Sequence, residues 1–211
     1  MTGMRWGIIG GAVTVAIGAG IVFGVIQSGS KVERFHVGGE VRRLSGDHLK
    51  LKDGRIVEFA GLRLPYDDEP NSAESRETLT KWVAEEGVRL LFDDEKEDDK
   101  GRLQAYVYAN DTSINERLLR EGLAFAKLRR GHQKFRQEFL IAQNEARRER
   151  RGIWQTLEPA TDGPFMLDEV GASFHRPDCV KVRDAQTAMI EIKGTSAAFD
   201  SGCAPCGKCR P

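Results

Sequence analysis

Hydrophobic and polar positions divide the chain into distinct regimes. Residues 6–26 ("WGIIGGAVTVAIGAGIVFGVI") are almost wholly apolar. The next thirty or so residues alternate and turn as strands do. "KVERFHVGGEVRRL" reads as one strand, and "DHLKLKDGRIVEFAGL" as two runs joined by a KDG hairpin signal. A helix follows, which Asn71 or Ser72 can cap, with Ala73, Leu79, Trp82 and Val83 as its apolar stripe and Gly87 at its end. "VRLLF" is a strand, "DDEKEDDKG" a charged loop and "RLQAYVYA" a second alternating strand. "SINERLL" carries a capping box, Ser113 with Glu116, and "REGLA" closes that short helix. Residues 133–151 read as a long basic helix ending at "RGIW". The order predicts a mainly β, α+β domain: a small Greek-key barrel with helices packed on it, for which an OB-type barrel is the natural architecture.

The apolar segment is bracketed by Arg5 and Lys31. Its 21 residues span about 30 Å as a helix, one hydrocarbon core. It reads as a single transmembrane anchor over residues 6–27. A cleaved signal peptide is the alternative. Against it, the run exceeds a signal core of about 7–15 residues and no clear A-x-A site follows. Gly7/Gly11 and Gly20/Gly24 are small-xxx-small pairs that would permit a weak homodimer through the span. Lys31, Arg34, Arg42 and Arg43 favour a cytoplasmic body by the positive-inside count. A short basic N-terminus before one apolar span more usually directs export, and an exported body is the reading adopted.

Thirty-two basic residues balance thirty-two acidic ones, which argues against a histone-like binder but hides local asymmetry. Residues 127–151 hold nine Lys/Arg against three Glu, with Phe125, Phe135 and Phe139 interleaved. A basic stripe suits a polyphosphate backbone, so Arg147, Arg148, Arg150 and Arg151 are candidate nucleic-acid contacts. The competing reading makes the phenylalanines core and the charges a solvated face.

"DDKGRLQAYVYANDTSINERLLREGLA", followed by a basic helix and "GIW", resembles the staphylococcal nuclease (thermonuclease) family, whose pattern runs D-x-Y-G-R-x-L-A-Y-V, V-N-x-x-L-V-x-x-G-L-A and G-[LI]-W. "SGDHLKLKDG" resembles the family's D-G-D-T strand and hairpin. The resemblance covers a domain of residues 35–156. It implies a five-strand OB barrel with three helices and Ca²⁺-dependent hydrolysis of nucleic acid. In that chemistry two aspartates and a carbonyl hold the ion, a glutamate positions water and two arginines stabilise the phosphate. Asp47 matches the first metal aspartate and Arg102 the second arginine. The remaining positions depart: Glu58 stands for the first arginine, Arg63 for the second aspartate and Tyr66 for the glutamate. A like-charge contact at 4 Å costs about 4 kcal/mol at an effective dielectric near 20, roughly a thousandfold in rate. Asp47 and Arg102 are therefore expected as remnants of a catalytic set. Asp67, Asp68 and Glu69 fall just past it. They read as a solvated loop entering a helix N-terminus, or as a shifted carboxylate set that rescues a Ca²⁺ nuclease. "DDEKEDD" does not match EF-hand spacing and reads as a solvated face.

A linker-like stretch, residues 157–169, leads to "SFHRPDC" and "CAPCGKCRP". His175, Cys179, Cys206 and Cys209 form an H-x3-C…C-x2-C set that can converge on Zn²⁺. A unit this small has too little core to hold itself without a staple. Residues 170–211 resemble the N-terminal zinc module of the Ada DNA-repair protein. His175 stands where that family has its methyl-accepting cysteine, so repair chemistry does not carry over, and Cys203 falls at a packing position. Disulfides are the alternative if the body is exported. Together these readings predict a membrane-anchored, nuclease-like protein with an impaired site, acting as a nucleic-acid or protein interaction module. The rivals are an active Ca²⁺-dependent nuclease and a purely structural protein-binding module.

Overall fold

The computed structural model describes residues 32–35, 48–84, 88–157 and 161–211. The apolar segment 6–27 and Asp47 lie outside the described residues. Among the described residues no helix is long and apolar enough to cross a membrane.

The first unit is built on β1 (Val32–Phe35), β2 (His48–Lys50), β3 (Ile56–Phe59), β5 (Val88–Glu97) and β6 (Leu103–Ala109), in the order β1-β5-β6-β3-β2, with β7 (Thr112–Ser113) added to β6. β4 (Leu62–Arg63) pairs separately with β8 (Phe125–Ala126). Among the described residues the path does not return on itself, so no closed barrel forms within them; sheets and helices together make the fold α+β. β2 and β3 are joined as the KDG signal requires, with Gly54 at φ 88°. Period-two alternation puts Val57 and Phe59 of β3 into the core and leaves Glu58 on the other face. β3 runs parallel to β6, which sets Glu58 opposite Gln104.

Three helices cover the sheet. In α1 (Ser72–Ala84) the buried stripe is Ser72, Ser75, Leu79 and Val83, while Ala73 is exposed, contrary to expectation. The Ser75 hydroxyl donates to the Leu123 carbonyl at 2.9 Å, which lets a polar residue sit in that stripe. α2 (Ile114–Arg120) starts at the predicted cap, with Ser113 Oγ accepting from Glu116 N at 3.2 Å. Asn115, fully buried, bonds Val107 N and the Ala60 carbonyl, each at 2.8 Å, and so fixes β6 against the turn after β3. α3 (Arg136–Arg148) is shorter at both ends than residues 133–151. The expected charged loop is also corrected: β5 continues through Glu97 and only the turn beyond it is loop. Edge-exposed carboxylates do not break a strand whose alternate residues Val88, Leu90 and Phe92 are buried.

The second unit is a four-stranded sheet, β11-β9-β10-β12, from β9 (Pro164–Asp168), β10 (Ser173–His175), β11 (Ile190–Lys193) and β12 (Ala204–Pro205). Two short helices, α4 (Val180–Arg183) and α5 (Thr195–Asp200), complete it. β9 is interior to this sheet although it lies within the stretch read as linker. Nor does the unit rely on a core of its own. Phe125, Ala146, Ile153 and Trp154 of the first unit share one cluster with Phe165, Leu167, Phe174 and Phe199 of the second. The Phe199 ring lies 4.9 Å from Trp154 and 5.2 Å from Phe174, both edge-to-face. Leu128 N donates to the Gly202 carbonyl at 2.8 Å, and Gln143 spans the junction, accepting from Ala126 N and donating to the Phe199 carbonyl.

Phe199→Ala should therefore cost about 3–5 kcal/mol, and urea unfolding of residues 31–211 should remain a single transition at a lower midpoint. Two separated transitions in the wild-type protein would contradict a shared core.

Candidate nucleic-acid cleft and metal centre

A cleft of about 190 Å³ opens on the outer face of β3 and β6, lined by Glu58, Arg63, Tyr66, Lys100, Arg102, Gln104, Lys127, Arg129 and His132 among others. Glu58 is its only carboxylate among the described residues. Arg102 pairs with Glu58 and with Asp98, and Gln104 Nε2 donates to the second oxygen of Glu58 at 2.7 Å. Burial alone would push the Asp98 carboxyl up, but bonds from the Arg102 guanidinium and the Arg102 and Lys100 backbone outweigh it and hold it below the usual range. Its stabilisation is present above the ordinary carboxylate pKa of about 3.9 and is lost as pH falls through the lowered value.

Arg63 faces away from this network and is buried, at 2% exposure. Its guanidinium donates to both oxygens of Glu69, at 2.7 and 3.2 Å, and to the Leu64 carbonyl at 3.1 Å. It is sandwiched between the rings of Tyr66, 4.4 Å away, and Phe125, 4.6 Å away. Glu69 also accepts from Tyr66 N at 2.7 Å. The other two carboxylates of the loop are engaged as well, Asp67 with Arg76 and Asp68 with Arg210. The solvated-loop expectation holds for Asp67 and Asp68, which stay exposed while each pairs with an arginine, but not for Glu69, which is mostly withdrawn from solvent beside Arg63.

The comparisons bear on this cleft. The family model described as "Staphylococcal nuclease homologue" matches residues 56–156. A thermonuclease of Staphylococcus hyicus is 30% identical over 123 residues, covering 54% of this chain and 73% of that protein. A thermonuclease of Staphylococcus intermedius is 33% identical over the same shares, and endonuclease YncB of Bacillus subtilis is 32% identical over 135 residues, 59% of this chain and 64% of that one. The chain belongs to the staphylococcal nuclease family. Against the family pattern, the residues at the first-arginine and second-aspartate positions, Glu58 and Arg63, are each ion-paired within the protein, Glu58 with Arg102 and Arg63 with Glu69, while the buried Arg63 Nε has no hydrogen-bond partner. Tyr66, at the glutamate position, is stacked on Arg63 and packs on its other side against Gly207, where a methyl group would overlap the ring. A hard Ca²⁺ ion needs several oxygen ligands. The described part of the cleft offers one carboxylate, already bonded to Arg102 and Gln104, with a buried arginine where the second should be. Those residues do not fit the ion.

The basic helix is used differently from the expectation of an open stripe. Arg147 pairs with Asp200, donates to Ser196 and Asn144, and lies over the Trp154 and Phe199 rings, inside the junction between the units. Arg151 pairs with Glu145 and Glu149 and donates to the Arg120 carbonyl. Arg150 donates to the Gln155 carbonyl, and Arg148 is exposed. Phe125 and Phe139 are core residues, and Phe135 packs edge-on against Tyr106.

In the second unit His175, Cys179, Cys206 and Cys209 are buried, with one potential ligand atom from each lying within 4.8 Å of the others. All four cysteines of the chain are free thiols. His175 Nδ1 is 3.6 Å from Cys179 Sγ. Zinc bonds of about 2.0–2.3 Å in a tetrahedron put neighbouring donors about 3.5–3.8 Å apart, so the set fits. Backbone N–H groups of Arg176 and Lys208 point at the sulfurs of Cys209 and Cys206, each at 3.3 Å, and favour thiolates. Burial, outweighed by the His175 imidazole and backbone N–H groups, leaves Cys206 lowered to about 6. Cys203 lies apart, in the shared apolar cluster, where burial pushes its thiol up to about 12.

Sequence reasoning named Glu69 only as a loop or metal carboxylate and did not reach Gln104, Asp98 or His132. Gln104 could have been found from a parallel pairing of β3 with β6. The rest depend on loop paths that leave no periodic signal.

Glu69→Gln should strand the Arg63 charge and cost about 3–5 kcal/mol of stability, read as a lowered urea midpoint. The double variant Arg63→Met/Glu69→Leu should recover most of it. A Glu69→Gln protein as stable as wild type would show that the pair does not anchor the loop.

Proposed function

We propose that this staphylococcal nuclease family member holds nucleic acid in its cleft without Ca²⁺-dependent cleavage. One observation carries the reading: at two family site positions the residues are charge-reversed, and Glu58–Arg102–Asp98 and Arg63–Glu69 are ion-pair sets. Catalysis by this family as resembled would need preorganised cations aimed at the phosphate and oxygen ligands around an ion. Here Arg102 is held by two carboxylates and the second ligand position carries a cation. What the cleft retains is an excess of positive charge, Lys100, Lys127 and Arg129 with Arg102 against Glu58, suited to a phosphodiester backbone. Asp47 and Arg102 are then remnants of the catalytic set.

The wider protein follows the same reading. Residues 35–156 form the nuclease-like unit, read as an OB-type barrel with three helices. Residues 6–27 anchor it in a membrane with the body exported. The C-terminal module is Ada-like in its ligand spacing and carries a structural Zn²⁺ on His175, Cys179, Cys206 and Cys209. The ion supplies cross-linking there and no reaction step, because all four tetrahedral positions are taken by protein.

The purified soluble part, residues 31–211, incubated with single-stranded DNA and RNA in Ca²⁺ or EDTA, should bind both without cleaving either, and binding should weaken as salt rises. Cleavage that needs Ca²⁺ and vanishes in Asp47→Ala or Arg102→Ala would overturn this proposal in favour of a working nuclease. Metal analysis should find one zinc per chain, lost in Cys206→Ser and kept in Cys203→Ser. Zinc that depends on Cys203, or a native disulfide between Cys206 and Cys209, would remove the assigned ligand set.

A further inference from the structure

The cleft does not end at the nuclease-like unit. Arg63, Tyr66, Lys127 and Arg129 also wall a second, wider cavity of about 830 Å³, whose opposite side belongs to the metal module. The two cavities share this wall because the module is fastened beside it: Gly207 lies against the Tyr66 ring and Arg210 pairs with Asp68. Lys181 and Lys208, both exposed, line the module's side.

Cations outnumber carboxylates along this path. The three carboxylates that border the wide cavity are engaged elsewhere: Asp67 with Arg76, Asp68 with Arg210, and Asp168 with the N–H groups of Val170 and Gly171. A divalent ion on three thiolates adds about one negative charge, which Lys181 and Lys208 together exceed. At the inner end His132 is 97% buried (3% exposed), and its Nε2 has no hydrogen-bond partner. Burial, reinforced by Arg129, outweighs the opposing carboxylates of Asp93, Glu95 and Glu58 and holds its pKa below the usual imidazole value, so the ring is neutral and keeps one N–H to donate. A buried polar atom left unmatched in a cleft lined by Lys100, Lys127 and Arg129 points to a ligand whose oxygens supply the partner. The inner cavity, at about 190 Å³, is smaller than ordinary ligand pockets of about 300–1,000 Å³ and has no room for a base pair.

We propose that the two cavities form one track for single-stranded nucleic acid, running from His132 and Arg129 in the cleft, past Lys127, to Lys181 and Lys208 on the metal module. The track rests on the binding reading above and adds to it that the module supplies phosphate contacts. The metal then holds the Lys208 turn in position beside Tyr66 rather than touching the ligand.

The test uses the whole soluble chain and 5′-labelled oligothymidylates of about 4 and about 16 nucleotides, the range of single-domain site sizes. Fluorescence anisotropy follows binding between about 50 and 200 mM salt. For the longer strand, Lys181→Gln/Lys208→Gln should reduce the salt slope by about 1.4, two single-strand phosphate contacts, with zinc content and thermal midpoint unchanged. The shorter strand should change less than about twofold, whereas Arg129→Gln should weaken both. Removing the metal with a chelator should reproduce the double-lysine result. If the double variant or the chelated protein keeps the wild-type slope while Arg129→Gln loses binding, the cleft binds but the track does not reach the module, and this inference fails alone. If wild-type protein binds neither strand, the binding reading fails and the track falls with it.

Discussion

A guanidinium at 2% exposure must find its counter-ion, hydrogen-bond acceptors and stacking partners within the protein, because an unmatched buried charge is among the costliest defects a fold can carry. Arg63 meets most of that requirement with Glu69, the Leu64 carbonyl and the faces of Tyr66 and Phe125, and only its Nε is left without an acceptor. Much of the molecule's arrangement follows. Holding Glu69 bends the chain after Pro65 back over the guanidinium. The bend presents Tyr66 outward to Gly207 and Asp68 to Arg210. Phe125, on the other face of the same cation, belongs to the aromatic cluster that joins the two units. One buried charge therefore links the cleft wall to both attachments of the C-terminal module.

This linkage gives the departures from the family pattern a physical meaning. The residues at the metal-aspartate and glutamate positions are not merely inert replacements. They form the seat on which the metal module rests. An aspartate in place of Arg63 would repel Glu69 and leave Tyr66 without its cationic face. In this chain Arg63 and Tyr66 serve the docking of the C-terminal unit, through Phe125 and Gly207. Arg102, the retained arginine, is bound on both sides by Glu58 and Asp98, which suits a rigid rim better than a group that must gather negative charge in a transition state.

The metal module likewise cannot be considered alone. Its strands and helices surround Phe165, Phe174 and Phe199, but these rings pack on Trp154 and Phe125 from the nuclease-like unit. The four potential metal ligands adjoin that cluster in sequence, His175 directly following Phe174, and Cys179, Cys206 and Cys209 form their own small group with Val182. Between Cys206 and Cys209 the turn that carries Lys208 meets Tyr66 through Gly207.

Local sequence determined what depends on neighbours along the chain. The KDG hairpin, the Ser113 cap and the alternation of β3 follow from backbone preference and period-two burial, and all were legible; β6, expected to alternate, is instead buried on both faces. So was the convergence of His175, Cys179, Cys206 and Cys209, because metal-ligand spacing is itself a local signal. The family motif located Glu58, Arg63 and Tyr66 at their positions in the cleft. What these residues do there was decided only by tertiary structure. "DDE" after Pro65 looked like a solvated loop because nothing in the sequence says that Glu69 meets Arg63 beneath Tyr66. Arg147 looked like part of an open basic stripe because its partners Asp200 and Ser196 lie some fifty residues further along the chain. Pairing of charges over such separations is set by how the core packs, and a charge pattern alone carries no record of it.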